Sequence, residues 1–305
     1  MSVAASIAFK QSVSSDVLDA IYGWAGPLPQ VELEFEAELK LLWLTIRPEP
    51  KPIFTLQLLD SVVAVQKAIG HLWADLRPHD RPVRFLAFRG RGGVFTLGGD
   101  LDFYLECIAT GDRSRLMDYA EASVQGAIGN ASGCYGSVIT LSTIHAKALG
   151  GGIDAPRSCH IMIAERQASF CYPEIRFNHF PITAVPVLSR KLGPMAAEAL
   201  LLSGDEISAE EFRARGGLEA VVEANQGEDW IRNYCQTNLE SAAARLAIYG
   251  MTYEANRHYE QDLRDSAARW VQAMLNMRPT EISKLQRISQ RSEERRVGKE
   301  CRSRW

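Results

Sequence analysis

The chain has 305 residues, 46% of them hydrophobic and 23% charged, with a formal charge of -3. Those proportions suit one globular α/β domain with a helical appendage, and the charge gives no electrostatic reason to expect nucleic acid as the main partner. No apolar run approaches the roughly 20 residues that span a bilayer, so no membrane partner is expected; Met1-Ser2-Val3-Ala4-Ala5 lacks the basic start and apolar core of a secretion signal, so a cytoplasmic location is expected.

In chain order, residues 1–30 contain Gly26-Pro27-Leu28-Pro29 and read as a flexible lead-in. Residues 31–47 alternate apolar and polar positions, which predicts one or two antiparallel strands ending in Leu42-Trp43-Leu44-Thr45-Ile46; Pro48, Pro50 and Pro52 stop them. Thr55 is placed to cap a helix with apolar residues at 58, 59, 62, 63, 65 and 69. The segment 83–88 reads as a buried strand, followed by a glycine-rich loop to Gly99 and a helix from Leu101. The order repeats: an amphipathic helix over 113–128, a strand within 137–148, a glycine turn at 150–152 and a short helix from about 153, with Pro156 in its first turn. A third round places 160–164 and 168–170 in strands, with Glu174 at the exit. Strand, turn and helix recurring in this way predict an α/β spiral and not a sandwich.

Beyond 181 the chain reads as mostly helical. Ser208-Ala209-Glu210-Glu211 fits a capping box that opens a helix ending at Gly216-Gly217, 218–222 suits a last short strand, and long helices cover 228–248 and 252–277 up to Pro279. Helices of that length after a completed core suggest packing on a second copy, hence an oligomer, with packing on their own chain as the alternative. Residues 292–305 are charge-dense and without periodicity; they resemble a translated cloning adapter and are set aside as a non-native tail. The division is then a lead-in (1–30), a core (31–225), a C-terminal helical region (226–291) and that tail.

Six cysteines, at 107, 134, 159, 171, 235 and 301, form no C-x-x-C pair and read as buried thiols in a reducing compartment. His145 and His160 fall in strands and read as structural; His179 reads as a loop residue, with the pocket border as its alternative place. Arg89-Gly90-Arg91-Gly92-Gly93 lacks the Lys-Ser/Thr of a P-loop and reads as a basic loop bordering a substrate entrance. Neither G-x-S-x-G nor H-E-x-x-H occurs, and no metal is expected.

The chemistry concentrates in three segments. Two carboxylates, Asp154 and Glu174, stand 20 positions apart, the first beside Gly150-Gly151-Gly152 and the second after Tyr172-Pro173, while Leu97-Gly98-Gly99-Asp100 lies upstream. Two glycine turns that can aim N–H groups at an anion, plus two acids, are the parts needed to stabilise an enolate and move protons around it. Glycine suits such turns because a Cβ would block close approach of backbone to ligand.

These segments resemble the crotonase (enoyl-CoA hydratase/isomerase) superfamily over roughly residues 35–225. The resemblance implies a crotonase-like ββα spiral core with C-terminal helices for oligomerisation. It places the oxyanion hole at the N–H groups of Gly99 and Gly151, general acid/base work at Glu174 with Asp154 assisting, and substrate contacts at Leu97, Gly98, Gly150, Gly152, Pro173 and Ile182. A closer resemblance is to the diffusible-signal-factor synthases, carried by Phe95-Thr96-Leu97-Gly98-Gly99-Asp100-Leu101, by the stretch from Gly111 to Ala120, by Ser158-Cys159-His160 and by Lys284-Leu285-Gln286-Arg287-Ile288-Ser289-Gln290-Arg291. That branch implies dehydration of a 3-hydroxyacyl thioester on acyl carrier protein or CoA, then thioester hydrolysis to an unsaturated fatty acid signal. It implies no cofactor beyond the carrier, a trimer or hexamer, and a sensor kinase as regulatory partner. Two features depart from the family: Asp154 stands where Glu is usual, which retracts the carboxylate by about one carbon–carbon bond, and Ile182-Thr183-Ala184-Val185 replaces a glycine-rich turn. An ordinary enoyl-CoA hydratase or isomerase, or a non-catalytic ligand-binding relative, are the alternatives.

Overall fold

The structure, a computed structural model, describes residues 15–302, with side chains from 15 to 290. The lead-in is not wholly flexible: residues 15–25 form a helix, α1, whose Val17 and Ile21 are buried against the core. Those two residues stand four apart, the helical signal that the nearby Gly26-Pro27 outweighed in reading the sequence. The rest of the expected lead-in, 1–14, lies outside the described residues.

β1 (Val31–Glu36) and β2 (Leu41–Ile46) pair antiparallel, with Leu33 opposite Leu44. β1 alternates buried and exposed positions as an edge strand does. β3 (Phe85–Gly90), β4 (Ile139–Ile144), β6 (Ile161–Glu165) and β9 (Ala220–Val222) continue the sheet in the order β1-β2-β3-β4-β6-β9, every pairing after the first being parallel. β2, β3, β4 and β6 are buried throughout, because helices cover both faces. A second sheet, β5-β7-β8, joins β5 (Ala148–Leu149) and β7 (Ser169–Cys171) to β8 (Glu206–Ser208). β8 is too short to show a period in sequence.

Between the strands lie α2 (Leu56–Leu72), α3 (Leu101–Thr110), α4 (Arg113–Ala131), the short α5 (Gly133–Gly136) and α6 (Gly151–Ser158). Thr55, Asp100 and Asp112 cap α2, α3 and α4, each side chain accepting an N–H of the first turn. α6 starts at Gly151, earlier than expected, because helical geometry begins directly after Gly150; Pro156 therefore falls in its second turn. The α/β spiral class expected from the sequence is the fold that forms.

The C-terminal half adds α7 (Ala184–Leu192), α8 (Pro194–Ser203), α9 (Ala209–Ala214), α10 (Gly227–Asn238), α11 (Ala242–Ala255), α12 (Tyr259–Leu275) and α13 (Pro279–Arg302). The Ser208 capping box forms with both of its hydrogen bonds. The two long helices expected over 228–248 and 252–277 are three, broken at 239–241 and at 256–258, where Asn256 leaves helical angles (φ -91°, ψ 63°). Both breaks lack the glycine or proline that would have flagged them. α10 packs Ile231 and Cys235 on Trp43, Phe85 and Leu141, and α12 buries Leu263, Ala267, Trp270 and Val271 in the main core. These helices thus pack on their own chain, while Ile248 and Met251 of α11 face outward. α13 runs on into the stretch set aside as a tail. The five described cysteines are free and buried.

Candidate active site

The sheet brings the two glycine turns side by side. Thr96 forms a parallel bridge with Ala148: the Phe95 and Thr96 N–H groups donate to Lys147 O (3.0 and 3.3 Å), and Leu149 N–H donates to Thr96 O (3.1 Å). The turn at 98–100 then opens α3, and the turn at 150–151 opens α6. Their approach requires glycine. A Cβ on Gly98, whose φ is +94°, would lie 3.0 Å from Leu149 O. Gly150 has φ 53° and ψ -137°, a region closed to side-chain-bearing residues, and a Cβ there would lie 2.0 Å from Glu174 Oε1.

The first turn is clamped from behind. Phe54 N–H donates to Gly98 O (2.8 Å), the Tyr119 hydroxyl donates to Phe54 O (2.6 Å), and the Tyr104 hydroxyl lies against Gly99, where an added Cβ would come within 2.0 Å of it. The second is held through α6: buried Arg157 donates to Gly217 O (2.7 Å) and pairs with Glu219 (2.9 Å). Gly98 N–H donates to Thr96 Oγ1 and Gly150 N–H to Cys171 O. Among the described residues, neither the Gly99 nor the Gly151 N–H bonds a main-chain carbonyl.

The turns line a cavity of about 130 Å³. Of the residues singled out in the sequence, Leu97, Gly98, Gly99, Gly150, Gly151, Pro173, Glu174 and Ile182 line it; Gly152 and Asp154 do not. Gly152 instead faces Thr96, whose Cγ2 would lie 2.1 Å from a Cβ placed there. Further parts of the wall come from Tyr104, Tyr119 and His179, from Trp270 of α12, and from Leu285 and Ile288 of α13. Trp270 carries no local motif, since an aromatic residue at helical spacing reads as core wherever it occurs, whereas Leu285 and Ile288 fall in the segment 284–291 that the resemblance included without a place in the site.

Glu174 sits in a 3₁₀ turn (Pro173–Phe177) with Pro173 at its start. Burial pushes its carboxyl up to about 8, and the charge of Asp154 adds to the rise; its own N–H and that of Gly151, both directed at the carboxylate, oppose it. The Gly151 amide therefore points at the Glu174 carboxylate. Oε2 has no hydrogen-bond partner.

Asp154 is placed differently from the expected assisting acid. It is buried behind the cavity wall, its Oδ1 accepting from the Tyr172 hydroxyl (2.7 Å) and its Oδ2 from the Thr183 hydroxyl (3.0 Å). Burial raises it to about 7, with those two hydrogen bonds opposing. The two departures from the family pattern are thus one feature, because Thr183 of the altered turn supplies a donor to the shortened acid. Asp154→Asn should lower turnover by less than about tenfold, against 10²–10⁴-fold for removal of a group that transfers protons directly. The same variant should melt at a higher temperature than the parent at pH 8, with the gap closing toward pH 4. The folded pKa lies above the unfolded one, so the native state binds the extra proton and stability falls as pH rises through about 4 to 7.

Three other expectations are settled by position. Arg89 is no entrance loop residue: its guanidinium is buried over Trp43, donates to Thr45 Oγ1 and pairs with Glu34 and Glu228, and Arg91 pairs with Glu228 as well. His160 is structural, its Nδ1 accepting the Thr140 N–H and its ring stacked on Tyr249. His179 is not a plain loop residue; it is buried and lines the cavity.

A family model described as enoyl-CoA hydratase/isomerase matches residues 73–297. The mevalonyl-coenzyme A hydratase of Beauveria bassiana is 26% identical over 152 residues, 49% of this chain and 53% of that protein. The chain thus spans about half the length of that relative, and 20% of the peroxisomal bifunctional enzyme of Cavia porcellus. An enoyl-CoA hydratase from Bacillus halodurans superposes with a TM-score of 0.72 at 22% identity, covering 84% of this chain and 98% of that one. DspI of Pseudomonas aeruginosa superposes at 0.64 with 21% identity, covering 83% and 91%. At such identities the two structures speak for the fold.

Proposed function

Because the chain belongs to the enoyl-CoA hydratase/isomerase family, we propose that it is an acyl-thioester enzyme that removes water from, or adds it to, the carbons next to a thioester carbonyl. The carbonyl oxygen lodges between the Gly99 and Gly151 N–H groups. In the dehydrating direction the Cα–H bond breaks, its proton passes to the Glu174 carboxylate, and the electron pair moves through an enolate onto that oxygen. The carbonyl then re-forms, Cα=Cβ closes, and the Cβ–O bond breaks as Glu174 returns its proton to the departing hydroxyl, giving water. Amides fixed beforehand meet the developing charge without reorganisation. The observation that carries this reading is the juxtaposition of the two turns with the Glu174 carboxylate directly over Gly150.

The finer reading is the signal-synthase one. The same amides would stabilise the tetrahedral intermediate formed when water adds to the thioester carbon; its proton passes through Glu174 to the departing thiolate as the C–S bond breaks. Acyl carrier protein or CoA would carry the acyl group, and the chain would assemble as a trimer or hexamer. Support comes from the sequence resemblance at Phe95–Leu101 and Gly111–Ala120. Incubation with 3-hydroxyacyl groups on each carrier, followed by mass spectrometry, tests both levels. An enoyl thioester supports the first reading, and free unsaturated acid with released thiol supports the second. Hydroxyacyl thioester left unchanged on both carriers would count against both.

Asp154 favours one further reading. With both its oxygens taken by hydroxyls, Glu174 would act alone, which suits a 1,3-proton shift in a 3-enoyl thioester. Turnover of a 3-enoyl thioester faster than hydration of its 2-enoyl isomer would select it.

A further inference from the structure

His179 has no role in the mechanism above, yet it is 7% exposed, lines the cavity and leaves its Nε2 without a hydrogen-bond partner. Its surroundings are aromatic: ring centroids of Phe180, Trp270 and Phe177 lie 5.3, 5.8 and 6.3 Å away. Its backbone is fixed, the N–H donating to Glu174 O (3.0 Å) at the end of the turn that carries the reacting carboxylate. The Glu174 carboxylate lies over Gly150, whereas the imidazole packs on Trp270 of α12.

A buried polar nitrogen with no partner is costly to keep in an aromatic wall, and a plain hydrocarbon chain would leave it unpaired. Burial holds the ring in its neutral form, pushing it down to about 4, with the Glu281 charge as the opposing influence. A neutral imidazole presents one N–H donor and one bare nitrogen acceptor. A hydroxyl can answer either nitrogen, because it both donates and accepts.

We propose that His179 selects an acyl chain bearing a hydroxyl beyond the two reacting carbons, so that the substrate is a distally hydroxylated acyl thioester. This deepens the acyl-thioester reading and rests on it. A site with a buried group aimed at pairing rejects the analogue lacking that partner more strongly than it rejects a change of size.

The test pairs saturated acyl-CoA esters of equal length, with and without a hydroxyl placed in turn from the fourth carbon to the chain end, and measures Kd by calorimetry on the full chain. At one position the hydroxylated ester should bind about tenfold or more tightly. His179→Phe should abolish that preference, so that plain and hydroxylated esters bind alike, and His179→Gln should retain part of it. Equal affinities at every position, or a preference unchanged in a folded His179→Phe, would overturn the assignment. Should His179→Phe fail to fold, the wild-type comparison decides alone. Turnover is scored separately, on the 3-hydroxyacyl and enoyl thioesters that can react: binding with the preference but no reaction of those would sink the enzymatic reading and leave the hydroxyl selection standing, whereas reaction without preference would do the reverse.

Discussion

Glu174→Gln should lower turnover by on the order of 10²–10⁴-fold, the loss typical of a positioned proton-transfer group, while binding of substrate changes little. The amide keeps the carboxyl's shape over Gly150 but cannot take a proton from Cα. The electrostatics add a second signature. Burial raises the Glu174 pKa to about 8 in the native state, so the folded protein holds a proton that the unfolded chain has lost over most of the range from about 4.5 to 8. Stability should therefore fall as pH rises through that window, and Glu174→Gln should flatten the fall and melt higher than the parent at pH 8. Rate and stability should thus move in opposite directions, as expected where a site holds a strained charge. In the dehydrating direction, where Glu174 must be ionised to act as base, kcat/KM should climb toward a plateau above about pH 8. Unchanged turnover in a folded Glu174→Gln would remove Glu174 from the reaction.

Gly150→Ala should be nearly as damaging, by a different route. The backbone at Gly150 holds φ 53° and ψ -137°, and the new Cβ would fall 2.0 Å from Glu174 Oε1. Either the turn relaxes and moves the Gly151 amide, or the carboxylate is pushed off its place. A displacement of 1 Å at a reacting group costs on the order of a hundredfold, and backbone strain of this kind costs about 1–3 kcal/mol. Steady-state kinetics with thermal melts should show both losses. A Gly126→Ala control, at a helical glycine with open space around its Cβ position, should show neither.

The sequence made the spiral legible because its central strands are continuous apolar runs, its edge strand β1 alternates and several of its helices carry side-chain caps. Thr55, Asp100 and Ser208 each sit where a cap must. It was equally clear at the two glycine turns, whose geometry depends on residues adjacent in the chain. What stayed hidden depends on long-range packing. Nothing near Asp154 announces that Tyr172 and Thr183 will hold both of its oxygens, nor that a side chain one methylene shorter will sit behind the cavity wall. Trp270, Leu285 and Ile288 reach the cavity from helices more than a hundred residues downstream of Gly150. Arg89 misled in the opposite sense, since a basic residue beside glycines is a surface feature until partners such as Glu34 and Glu228 arrive from elsewhere in the fold.

The most direct test is isotope-edited infrared spectroscopy of a bound, non-reacting acyl-CoA labelled with ¹³C at the thioester carbonyl. Two amides closing on that oxygen should move the carbonyl band to lower frequency than in solution, and Gly150→Ala should reverse much of the movement. A band at its solution position in a saturated complex would mean that the Gly99 and Gly151 amides never grip the substrate.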